Sequence, residues 1–437
     1  MISEWREVLL EDVSSELTVG FVGSMAAEYV DTGVPFLRSL NIEPYRINLN
    51  DIKFISPDFH KKLSKSKLEP GDVVIVRTGK PGTCAVVPEW LKEANCSDLV
   101  IVRPGHELDA YYLAYYVNSI ATHHVYSHLV GAVQQHFNVG SAKKMKILLP
   151  TLNEQRSITA VLNAISSKIE LNNAINKNLE EMAQTLFKRW FVDFEFPNEN
   201  GEPYKSSGGE FEESELGLIP KGWRVGAATE IFDVQSGGTP KTGNSEYWNG
   251  DIPFFTPKDC TDSFYVINTE KKITEVGLSK CNSKLYKAET VFITARGTVG
   301  KLSIAGQDMA MNQSCYALVA TKGFTQKYIF LQTQLLINAI KKNASGAVFD
   351  AITVSTFQSL KVVLPNIELV VKFDKVVEGI FNSILKNINE NQILSDSRDT
   401  LLPKLMSGEI RVPIDREYVQ TADLPMAAAS KEQYSTT

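Results

Sequence analysis

Long hydrophobic runs are missing from this 437-residue sequence. No stretch reaches the roughly 18 to 20 apolar residues that a membrane span requires, which excludes an integral helical membrane protein. Cysteine is scarce: Cys84, Cys96, Cys260, Cys281 and Cys315 are an odd number, widely scattered and without a C-x-x-C pair. That argues against a disulfide framework and a thiolate zinc site, and leaves reduced, mostly buried thiols as the expectation. Positive charge is also short, with 45 Lys and Arg against 51 Asp and Glu and a net charge of -6. A free-standing domain that grips nucleic acid by neutralising phosphates is usually basic, so this chain does not fit that class by itself. The opening MISEWREVLLEDV carries early acidic residues and no basic stretch leading into an apolar core, so no secretory signal is read and a cytoplasmic location is expected.

Catalytic motifs are lacking as well. RGTVGKL (296 to 302) resembles a phosphate loop, but Ala295 stands where the first glycine belongs and Leu302 where Ser or Thr belongs. All six histidines (His60, His106, His123, His124, His128 and His136) fall in the first third of the chain. His124 and His128 have helical i, i+4 spacing, but no glutamate follows His124 as the H-E-x-x-H zinc motif requires, so a surface or packing role is expected. There is no N/D-P-P-Y motif, no glycine-rich cofactor loop after a strand and no nuclease-like pair of carboxylates with a lysine. The basic stretch HKKLSKSKLEP (60 to 70) reads as a solvated loop.

What is present is a duplication. Trp5-Arg6 matches Trp223-Arg224 at an offset of 218, which recurs for Pro35-Phe36 with Pro253-Phe254 and for Gly79 and Gly82 with Gly297 and Gly300. After a three-residue length change the offset is 215, aligning Gly131-Ala132-Val133 with Gly346-Ala347-Val348 and MKILLP (145 to 150) with LKVVLP (360 to 365). Each copy opens with short β-branched runs such as GDVVIVR, SDLVIVR and TVFITAR, and contains one amphipathic helical pattern, LDAYYLAYYVNSI or TQKYIFLQTQLLINAI. The class is therefore α+β.

Each copy then closes on a long helical pattern. Ile158, Leu162, Ile165 and Ile169 are followed by Ile175, Leu179, Met182 and Leu186; the second copy has Leu369, Phe373, Val376, Ile380, Ile384 and Ile388. Such seams predict helices of roughly 50 to 60 Å that pair with each other as an antiparallel coiled coil with approximate two-fold symmetry. The expected organisation is a domain over 1–150, a helix over 151–196, an exposed linker over 197–220, a second domain over 221–365, a second helix over 366–411 and a disordered tail over 412–437.

The stretch LLPTLNEQRSITAVLNAISSKIELNNAINKNLEEMAQTLFKRWF, with its LPTLNEQ opening (149 to 155), and the closing TLLPKLMSGEI (400 to 410) resemble the specificity subunit of Type I restriction-modification systems over about residues 1 to 411. The second copy departs from the pattern, reading Asn366-Ile367-Glu368-Leu369 without the EQ pair. The resemblance implies two target-recognition domains, each reading half of a split, asymmetric double-stranded DNA site, with the helices setting the spacing. It also implies docking of two methyltransferase (M) subunits and joining of motor-nuclease (R) subunits. The chain itself would be non-catalytic and hold no cofactor or metal, as a required subunit of an adenine-N6 DNA methyltransferase and endodeoxyribonuclease whose partners carry S-adenosylmethionine, ATP and magnesium. The competing readings are a protein-binding scaffold and a chain with nuclease or methyltransferase activity of its own.

Candidate base contacts come from polar loop residues, since Arg pairs bidentately with guanine and Gln or Asn with adenine. In the first domain these are Arg38, Ser39 and Asn41, then Arg77, Thr78 and Lys80, then Gln134, Gln135 and His136. In the second they are Thr256, Lys258 and Asp259, then Arg296, Thr298 and Lys301, then Phe349 and Asp350. Gly79, Gly82, Gly297 and Gly300 are expected to serve turn geometry. Because the two sets differ in residue type, the two half-sites should differ in sequence.

Overall fold

A computed structural model describes residues 5–121, 124, 125, 137–343 and 352–413. The expected loop residues Gln134, Gln135, His136, Phe349 and Asp350 lie outside the described residues, as does the expected tail from 414 onward.

The chain divides into two compact units, one holding residues 1–170 with 393–437 and the other residues 171–392. Within the first, strand β1 (Arg6–Leu9) precedes β2 (Ser14–Val19), β3 (Val34–Leu37), β4 (Val73–Val76), β5 (Cys84–Val86), β6 (Ala94–Cys96), β7 (Leu99–Pro104), helix α1 (Ala110–Ser119), β8 (Lys146–Leu149) and helix α2 (Leu152–Phe191). The sheet order is β5-β4-β7-β2, antiparallel throughout. β3 lies parallel to β6, and β1 pairs antiparallel with β8 so that the domain's two ends meet. β4 is buried at every position, as its run of Val-Val-Ile-Val requires when both faces are covered.

The second unit repeats this topology. Its strands are β9 (Arg224–Ala227), β10 (Phe232–Ser236), β11 (Trp248–Phe255), β12 (Val291–Thr294), β13 (Leu302–Ala305), β14 (Ala310–Met311) and β15 (Cys315–Ala320), followed by helix α3 (Gln326–Asn343), β16 (Lys361–Leu364) and helix α4 (Ile367–Ser407). The sheet runs β13-β12-β15-β10, β11 is parallel to β14, and β9 pairs antiparallel with β16. The strand registers locate the length change. Val86 faces Val73 as Ile304 faces Val291, which keeps 218, whereas Asn95 faces Phe36 as Ala310 faces Phe254, which gives 215. The three residues are lost in the connection between β13 and β14.

Helices α2 and α4, of 40 and 41 residues, run antiparallel. In the second unit Asn172 of α2 meets Asn391 of α4, and four residues further along Asn176 meets Asn387. In the first unit Ile158 and Leu162 of α2 share a core with Leu402, Leu405 and Met406 of α4. The buried seam differs from the one expected over the second half of α2. Asn172, Asn176, Ala183 and Phe187 are buried, while Ile175 and Met182 are exposed, as is Val376 on α4. Asparagines whose amides bond to the facing helix offset much of the cost of burial, and with that face turned inward the apolar Ile175 and Met182 point outward.

Residues 197–220, expected as an exposed linker, contain a hairpin of Phe211–Ser214 with Gly217–Pro220. Phe196 stacks on both Tyr204 and Trp223, at centroid separations of 4.5 and 5.2 Å, so this stretch contributes to the core of the second unit. The basic stretch from His60 is not a plain loop either. Helix Pro57–Lys62 carries its start, with His60 buried against Asn95.

Candidate nucleic-acid interface

Both domains gather their loops at one sheet edge through equivalent backbone hydrogen bonds. In the first, the hub is the turn from β6 into β7. Ser97 N donates to Leu37 O at 3.0 Å, fixing the start of the 38–41 loop, and Phe21 N donates to Cys96 O at 2.8 Å, fixing the 20–24 loop. Arg77 and Thr78 reach the same turn from the end of β4 by donating to the carboxylate of Asp98, and Phe137 N donates to Arg77 O at 3.0 Å.

The second domain builds the same hub between β14 and β15. Asn312 N donates to Phe255 O at 2.9 Å, Gly238 N to Met311 O at 3.1 Å, Ala295 N to Ser314 O at 2.8 Å and Ile352 N to Ala295 O at 3.0 Å. The tight turns after β4 and β12 close alike, by Gly82 N on Val76 O at 3.0 Å and Gly300 N on Thr294 O at 2.8 Å. Gly79, Gly82, Gly297 and Gly300 all have φ between 76° and 89°, a region that glycine adopts at no steric cost and that disfavours side chains, so these glycines are turn-formers.

The candidate side chains are not equivalent. Lys80, Lys258 and Arg296 are exposed and form no ion pair with a described residue, which leaves their charge available to a ligand. Lys301 bonds Asp262 at 3.2 Å, and Thr298 is exposed. Others hold the loops together. Asn41 is fully buried: its amide donates to Asn48 O and Asn50 O at 3.0 and 3.2 Å and accepts from Arg38 N at 3.0 Å. It shapes the 38–41 loop instead of facing solvent, a correction to its expected exposure. Arg38 bonds Asp51 at 3.0 Å, beside a half-buried Ser39. Arg77 is mostly buried, donating to Asp98 at 3.1 Å and to Phe137 O at 3.2 Å. Asp259 accepts from Thr256 N, Thr256 Oγ1 and Glu270 N at 2.8, 2.7 and 2.7 Å, so it braces its loop.

Sequence reasoning overlooked two parts of this edge. One is the segment Gly237–Lys241 after β10, with its counterpart at 20–24. A Cβ on Gly238 would lie 2.6 Å from Asn282 N, so the backbone there is wedged between two loops and only glycine fits. The other is the hub itself, in particular Asp98 and Gln313. Charge-poor turns between strands gave no compositional signal, although the SGG and NQS clusters mark turns.

No group of three or more His, Cys, Asp or Glu able to hold a metal occurs among the described residues. Burial pushes the thiols of Cys84, Cys96, Cys260 and Cys315 up, which disfavours the nucleophilic thiolate at each. His124 Nε2 donates to Ser141 O at 3.0 Å and lies edge-on to Phe137, a packing role. Among the described residues no helix is long and apolar enough to cross a membrane.

The family model described as Type I restriction modification DNA specificity domain matches residues 3–181 and 220–394, once per copy of the duplication. The chain belongs to this family. Among its specificity-subunit relatives, that of the Type I restriction enzyme HindI from Haemophilus influenzae is 26% identical over 322 residues, covering 62% of this chain and 70% of the relative. A putative MjaX specificity subunit from Methanocaldococcus jannaschii is 22% identical over 427 residues, 94% of each chain. The crystal structure of a Type I restriction-modification S subunit from M. genitalium has the same fold, with a TM-score of 0.56 at 14% identity over 92% of this chain and 96% of that one.

Proposed function

We infer that this chain is the DNA-specificity subunit of a Type I restriction-modification complex, with each domain reading one half of a bipartite, asymmetric double-stranded site. The observation that carries this reading is the twice-built loop hub: the same backbone bonds gather the loops in both domains, while the side chains they present differ. Two small reading edges on one chain bind with high effective concentration only when the spacing of the half-sites fits, which gives the paired helices the role of spacer. Their outward apolar residues, Ile175 and Met182 among them, suit docking of methyltransferase subunits, of which two are proposed, with motor-nuclease subunits joining. S-adenosylmethionine, ATP and magnesium belong to those partners in this reading.

The net charge of -6 fits a division of labour in which partners supply phosphate neutralisation and this chain supplies base contacts. The test is DNA affinity measured with and without the methyltransferase partner in the same salt, together with methylation mapping of strains carrying and lacking the gene. Poor binding by the lone chain and a bipartite methylated motif that depends on the gene are expected. Tight, sequence-specific binding by the lone chain would contradict the division of labour; a methylome unaltered by loss of the gene would contradict the function.

A further inference from the structure

Asp98 and Gln313 occupy the same place in the two domains. Each follows the hub residue whose N–H bonds the end of the parallel strand, Ser97 to Leu37 O and Asn312 to Phe255 O, and they are related by the 215 offset. Each is also held by a threonine hydroxyl from a neighbouring loop: Thr78 donates to the Asp98 carboxylate, and Thr239 donates to Gln313 Oε1. The two threonines come from different loops, the turn after β4 in one domain and the segment after β10 in the other. Orientation of the hub side chain is thus achieved in both domains by separate means.

We propose that Asp98 and Gln313 are equivalent specificity-determining residues, one for each half-site, oriented for base contact by Thr78 and Thr239. This rests on the function proposed above. Both side chains stay open to solvent at the point where the loops meet, Asp98 with 39% of its side chain exposed and Gln313 exposed. Their chemistry differs where a reader of an asymmetric site must differ. A carboxylate only accepts, which suits the exocyclic amino group of cytosine; an amide accepts and donates, which suits the paired N6 and N7 of adenine. A carboxylate facing DNA also needs a cation beside it, and the Arg77 guanidinium stands 3.1 Å from Asp98. Gln313 is neutral and bonds no cation among the described residues. Its Oε1 keeps a second lone pair for adenine N6, and its Nε2 protons remain for N7.

The test uses the full chain assembled with its methyltransferase partner, with methylation of a randomised bipartite DNA library as the readout. Gln313→Glu is expected to lower discrimination at one base position of one half-site by on the order of 10- to 100-fold and leave the other half unchanged. Asp98→Asn is expected to do the same in the opposite half. Thr239→Val should relax the Gln313 position and Thr239→Ser should restore it, a rescue that a purely structural role of the hydroxyl in one loop would not confine to a single base. The unaffected half-site reports in the same reaction that the complex is assembled. Unchanged discrimination in the hub variants, or equal loss at every position of both halves, would overturn the assignment. A wild-type complex with no bipartite motif would instead sink the parent reading.

Discussion

Gly79 and Gly82 share a turn and a positive φ, yet a side chain at each would meet different surroundings. At Gly79, with φ of 85°, an added Cβ has nothing within 4 Å. At Gly82, with φ of 89°, it would lie 2.9 Å from Val125 Cγ1. Gly79→Ala should therefore cost only the backbone strain, about 1 kcal/mol, whereas Gly82→Ala adds a clash in the core and should cost about 2 kcal/mol or more. Denaturant midpoints of the two variants would check this, and equal losses would refute the packing argument. Sequence alone does not separate a buried brace from an exposed polar group. Asn41 and Gln313 are both polar residues in turns, and only the surrounding bonds make one an internal brace and the other an exposed group.

The element that most departs from its sequence pattern is the helix pair. Asn176 donates to Ile384 O at 3.3 Å and accepts from Asn387 at 2.8 Å, and Asn172 donates to Glu390 and Asn391, both at 2.9 Å. Polar groups inside a helix pair fix register at a cost in stability. Asn176→Ala should destabilise by about 1 to 3 kcal/mol, because it strands the Asn387 amide. Replacing Asn176 and Asn387 together by Leu should be nearly neutral or stabilising. Thermal melts of the two variants would separate these outcomes; a double variant as unstable as the single one would show that the asparagines do more than satisfy each other. The helix starts also differ. Gln155 is buried, donating to Glu107 O at 2.8 Å and Pro150 O at 3.0 Å while accepting from Asp109 N at 2.8 Å, and so clamps α2 to the start of α1. Its counterpart at 215 is Val370, which is buried without polar partners, so the missing EQ pair marks a different joint at the head of α4.

On the scale of the whole molecule, the first unit is assembled from two segments far apart in sequence, whereas the second is one continuous stretch. The first unit takes its last helical turns from α4, where Leu402, Leu405 and Met406 join the core. Beyond them Arg411 lies 4.6 Å from the Trp5 ring and bonds Glu154 at 2.7 Å. A chain ending at residue 392 should therefore lose stability in its first unit while the second, whose residues are all retained, melts as before. Losing several buried leucine-sized side chains costs about 2 to 5 kcal/mol each, enough to unfold a unit of ordinary stability. Limited proteolysis cutting first within residues 5–121 is the expected result, and cleavage shared equally between the units would contradict it.

The sequence by itself determined the duplication, the α+β class, the strands of β4, β7 and β12, the two long helices and the turn glycines. These are properties of periodicity and backbone conformation, which act over a few residues. Only the tertiary structure decided which face of α2 is buried, that residues 197–220 join a core, and that Asp98 and Gln313 stand at the meeting point of the loops. Those outcomes depend on hydrogen-bond partners tens to hundreds of positions away: Asn176 is buried because Asn387 answers it, and Asp98 is oriented because Thr78 and Arg77 reach it from another strand. A polar side chain read in isolation carries no mark of whether such a partner exists.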